Sequence, residues 1–101
     1  MTSKRIGGGQ KILVVDDEHM SDLMRSVLRR LESDGFRPIV VAPEGDHING
    51  DDYEAQTLFA METERPSAIL LDVRFGEYDS DRFKGLSILK KISDRDSSMP
   101  V

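Results

Sequence analysis

Apolar residues follow two rhythms along this chain. Three short unbroken runs stand out: Lys11 to Val15 (KILVV), Ile39 to Ala42 (IVVA) and Ala68 to Leu71 (AILL). Runs of this length, rich in branched side chains, suit strands buried on both faces of a parallel sheet. Between them the spacing becomes helical. Met20, Leu23, Met24, Val27, Leu28 and Leu31 recur at i, i+3, i+4, i+7, i+8 and i+11, an amphipathic stripe expected to pack into the core. Acids precede this stripe and Arg29 and Arg30 lie near its end, which complements a helix dipole; Gly35 marks a stop. From about Tyr53 to Thr63 a second helical stretch puts Ala55, Leu58, Phe59 and Glu62 on one stripe, with Leu58 and Phe59 expected to do the packing and Pro66 as the stop. Behind Gly85, the residues Leu86, Leu89 and Ile92 give a third, shorter helix. Pro43 to Asp52 reads as a polar loop with a turn at Asn49-Gly50. Arg74 to Lys84 reads as a second loop, and Met99-Pro100-Val101 as the start of another strand.

The order βαβαβα predicts an α/β fold: a three-layer parallel sheet with right-handed crossovers and helices on both faces. At 101 residues the chain amounts to one domain. Residues 1–10 form a lead-in whose Gly7, Gly8 and Gly9 favour a mobile backbone, and residues 11–101 form the domain. The net charge of -5 argues against a nucleic-acid footprint on this segment. With no cysteine there is neither disulfide nor thiolate chemistry, which fits the cytoplasm. No apolar run reaches the ~20 residues of a membrane span, and the first ten residues lack the apolar core of a signal peptide.

The candidate chemistry sits at strand ends. Asp16 and Asp17 close the first run and Asp72 closes the third. In a parallel sheet all carboxyl ends share one edge, where ligands bind. If those two strands are neighbours, three carboxylates converge, and their mutual repulsion is relieved by a divalent cation. Hard oxygen donors suit Mg²⁺ or Mn²⁺.

KILVVDDE before an amphipathic helix, AILLDV after a second βα unit, and then a loop and GLSILKKI together resemble the receiver domain of two-component response regulators, from Lys11 to Val101. The resemblance implies a flavodoxin-like fold and a signalling role instead of an enzyme's, with catalysis limited to the domain's own phosphorylation and dephosphorylation. It implies that Asp72 is the phosphoacceptor, taking a phosphoryl group from a histidine kinase or phosphotransfer protein. Asp17 would bind Mg²⁺ directly, Asp16 through water or by orientation, and the main-chain carbonyl of Arg74 would be a further ligand. Phosphorylation would then switch the domain's interaction surface.

The sequence also departs from that pattern. Receivers place a Thr or Ser after a fourth strand and a Lys after a fifth; no residue of this chain takes either role, and Lys84, Lys90 and Lys91 fall before or within the third helix. The loop after Asp72 is longer than the family's usual turn, lacks its Met-Pro and carries Glu77, Asp79 and Asp81. The alternative function is therefore a pseudo-receiver, an interaction module that does not switch. A dehalogenase-type phosphatase needs Asp-x-Asp after the first strand, and Asp16-Asp17-Glu18 does not supply it. An isolated sheet with strands in the order 2-1-3 would leave the third strand as an apolar edge, so the chain is expected either to be part of a longer receiver or to pair with a second copy, by edge contact or domain swapping. Simpler readings cover the remaining candidates: His19 as a first-turn helix residue, Asp79 and Asp81 as solvated loop, Gly7 to Gly9 as linker and not a phosphate loop, and Asp46 to Asp52 as loop and not a calcium site, since Ile48 stands where a ligand is needed.

Overall fold

The computed structural model describes residues 8–16, 21–45, 48–72 and 84–101. Among these, three strands and three helices alternate: β1 (Lys11–Val15), α1 (Asp22–Ser33), β2 (Arg37–Val40), α2 (Gly50–Glu64), β3 (Ala68–Leu71) and α3 (Lys84–Arg95). The strands form one parallel sheet in the order β2-β1-β3. The expected α/β alternation is therefore present, with β1 and β3 as neighbours. β2 begins earlier than its apolar run, at Arg37 instead of Ile39, because Arg37 and Pro38 pair with Lys11 and Ile12.

Period-two alternation divides β1 and β3 between two faces. Leu13, Val15 and Ile69 point into the main core with Tyr53 of α2 and Ile88 and Ile92 of α3; all six are buried, and Ile39, Ala60, Met61, Leu71 and Met99 pack around them. Val14 and Leu70 point to the other face, where they share a cleft with Met24 and Val27 of α1. Central β1 is covered on both faces, so Ile12 and Val14 are buried too, whereas Leu70 at the β3 side stays 41% exposed.

That asymmetry corrects the expectation for α1. None of its residues is buried. Met24, Val27, Leu28 and Leu31 are half-buried, and Leu23 is exposed. Leu23 sits roughly a quarter turn from the centre of the stripe, and α1 lies against the β2 side of the sheet. Met20 lies outside the described residues. The helix ends are well specified. The Ser21 hydroxyl accepts from the Met24 amide at 3.2 Å. At the other end Gly35, with φ of 94°, donates to Glu32, while Phe36 donates to Leu31, the paired bonds of a Schellman stop.

α2 needs two corrections. It starts at Gly50, because Asn49 is a helix cap and not a turn: its side chain accepts from the Asp51 and Asp52 amides, and Asp52 accepts in return from the Asn49 amide at 2.8 Å. Its inward face is also not the expected one. Tyr53, Glu54 and Thr57 are buried, while Ala55 and Glu62 are exposed, Leu58 is half-buried and Phe59 is 66% exposed. Two polar residues can occupy that inward face because each has a partner beside it. Thr57 donates to the Tyr53 carbonyl at 2.6 Å, and Glu54 meets lysines of α3.

After α3, Met99 packs on the core and the Ile69 amide donates to the Pro100 carbonyl at 2.9 Å. The terminal segment thus touches β3 on the side away from β1, without forming a strand. At the other terminus, the Gly9 amide donates to the Gly35 carbonyl at 2.7 Å, which ties the end of the lead-in to the α1–β2 turn.

Candidate functional site

Two of the sequence-predicted acids meet at the carboxyl edge of the sheet. β1 and β3 pair in parallel with Val15 opposite Leu71, so the next residue on each strand, Asp16 and Asp72, stands opposite the other. The bond that closes this ladder is donated by the Asp72 amide to the Val15 carbonyl, at 2.9 Å. Neither position is accidental in the sequence: each acid follows directly on a strand that feeds the core, KILVV through Leu13 and Val15 and AILL through Ile69, so both carboxylates fall where the strands end.

Asp16 and Asp72 are half-buried and line the same open cleft of about 270 Å³, together with Val14, Met24, Val27, Leu70 and Leu71. The cleft therefore has an apolar floor and wall, formed by the sheet and α1, and an acidic end. Two carboxylates at the mouth of an apolar concavity repel each other, and a cation between them lowers that repulsion. Carboxylate oxygens match Mg²⁺ or Mn²⁺ in chemistry. The donor set among the described residues is incomplete for a protein-only cage, as no group of three or more His, Asp or Glu is gathered there.

The remaining predicted ligands, Asp17 and the Arg74 carbonyl, lie outside the described residues, as do His19, Glu77, Asp79 and Asp81. In the stretch weighed as a calcium loop, Asp52 serves the α2 cap and Asp51 accepts from Lys84 at 2.6 Å.

Sequence reasoning missed one cluster of charge, between α2 and α3. Glu54, Lys84 and Lys91 meet there, with Asp51 on the rim. Lys84 and Lys91 are spaced two helical turns apart, which aligns both on one side of α3, facing α2. That spacing was visible in the sequence, but the acid opposite it sat on what read as the outer face of α2.

No helix among the described residues is long and apolar enough to cross a membrane. Comparison with family models, with curated proteins and with solved structures returned no match to this chain.

Proposed function

We propose that this chain is the phospho-accepting segment of a flavodoxin-like receiver in a cytoplasmic two-component system. The observation that supports this most directly is the pairing of Asp16 and Asp72 across β1 and β3, at the carboxyl edge of a parallel sheet. Asp72 is the nucleophile. A carboxylate oxygen attacks the phosphorus of a phosphohistidine on a histidine kinase or phosphotransfer protein; the new P–O bond replaces the P–N bond, and the histidine leaves with the electron pair and takes up a proton. Asp17 and the Arg74 carbonyl would hold a metal together with Asp72, and Asp16 would contact it through water or orient it; a bound Mg²⁺ would supply positive charge to the phosphoryl oxygens.

The test is intact mass after incubation with Mg²⁺ and a small acyl phosphate. Wild-type protein should gain one phosphoryl group, and Asp72→Ala none. No gain in wild type, or an equal gain in Asp72→Ala, overturns the reading.

A further inference from the structure

We propose that Glu54 is an ionic latch: one buried carboxylate that holds the leading turn of α3 on α2 through Lys84, so that this turn opens separately from the rest of the helix. The inference is independent of what Asp72 does.

Glu54 is 7% exposed, and a carboxylate this well covered needs opposite charge beside it. α3 provides it twice. The Lys84 ammonium lies 2.5 Å from Oε2, a contact of charge without a well-aligned hydrogen bond, and the Lys91 ammonium pairs with Oε1. The two lysines are not equivalent. The Lys84 side chain is 16% exposed and that of Lys91 53%, so solvent screens the second pair more strongly. Lys84 also reaches Asp51, which is largely exposed and adds little.

α3 is held in two different ways along its length. Ile88 and Ile92 are fully buried and pack the middle and end of the helix into the core with Tyr53, Leu13 and Ile69. The leading turn contributes only Gly85 and the stem of Lys84 to the packing, while Leu86 is 53% exposed. Among the described residues no large apolar side chain of that turn is buried, and the Glu54 charge is what faces it. Segments with few buried apolar contacts open at lower free energy than the core, and here the better-covered of the two Lys84 pairs is the one to Glu54.

Amide hydrogen exchange of the full chain tests this. The amides of Ile88, Leu89 and Lys90 bond back to the leading turn. In Glu54→Gln and in Lys84→Met they should exchange on the order of tenfold faster, with β1 amides changing less than about twofold. Lys91→Met should have a smaller effect, and Glu54→Asp, which keeps the charge on a shorter arm, an intermediate one. Equal acceleration across α3 and β1 would show Glu54 to be a contributor to global stability only, and no acceleration would show no latch; either overturns the proposal. Should Glu54→Gln fail to fold, Lys84→Met against Lys91→Met decides: equal effects on Ile88, Leu89 and Lys90 overturn it.

Discussion

The Asp72 amide donates to the Val15 carbonyl at 2.9 Å, and this bond sets the Asp72 side chain across from Asp16 at the same edge of the sheet. A cation that bridges the two carboxylates binds the folded chain only, since the unfolded chain does not hold them together. Mg²⁺ or Mn²⁺ should therefore raise thermal stability, by about 1.4 kcal/mol at ten times Kd. Asp16→Asn and Asp72→Asn should each remove most of the shift, and Asp94→Asn, at an exposed α3 position, none. Melts with and without the metal measure this. A shift that survives in both site variants would place the cation elsewhere.

The parts of this fold that follow from buried apolar runs were legible in the sequence. β1 and β3 have the limits that KILVV and AILL predict, and the acids behind them fall where the strand ends require. The misread parts are those where a polar residue does structural work. Asn49 looks like a turn residue beside Gly50, but with Asp52 it closes a capping box and starts α2 early. Glu54 and Thr57 hid the inward face of α2, because a periodicity count assigns polar residues to solvent and lets Phe59 claim the core. Only the lysines of α3, distant in sequence, reveal that Glu54 can be buried. For α1 the stripe was read correctly, but its degree of burial depends on what else covers that face of the sheet, and periodicity does not encode this.

The face of α3 gives a second prediction. Ile92 is fully buried and Leu86 is 53% exposed, although a stripe drawn through the sequence treats them alike. Ile92→Ala should cost about 2–5 kcal/mol through lost burial and the cavity left behind, a large share of the ~5–15 kcal/mol a domain of this kind holds. Leu86→Ala should change stability by less than about 0.5 kcal/mol. Urea midpoints of the two variants measure the difference, and equal losses would mean α3 presents another face to the sheet.

The cap of α2 gives a third. Asn49→Ala leaves the Asp51 and Asp52 amides without their side-chain acceptor and should destabilise the chain by about 1 kcal/mol. Asn49→Asp keeps an acceptor and adds negative charge at a helix N-terminus, so it should retain most of the stability. Chemical denaturation of both variants is the check. A loss in Asn49→Asp as large as in Asn49→Ala would show that the side-chain amide is needed for something other than capping.

The pair between α2 and α3 makes stability depend on pH in a stated direction. Burial pushes the Glu54 carboxyl up, but the Lys84 and Lys91 ammonium groups outweigh it and hold the group below its ordinary 4.5. A carboxyl with a lowered folded value contributes fully above 4.5, and the contribution is lost as pH falls through the folded value. Lys84 has the opposite sign: the Asp51 and Glu54 carboxylates beside it raise it above its ordinary 10.5, so its contribution is full below 10.5 and is lost as pH climbs through the folded value. Between about pH 4.5 and 10.5 the difference in stability between wild type and Glu54→Gln should stay flat, because neither partner titrates there. As pH falls below 4.5 and towards the lowered folded value, the advantage of the charged carboxyl is lost and the wild type comes to resemble the glutamine variant, so the difference should shrink. Urea midpoints of both proteins at about pH 7 and pH 3 measure it. A difference that is unchanged or larger at the lower pH would mean that the charge on Glu54 is not what joins the two helices.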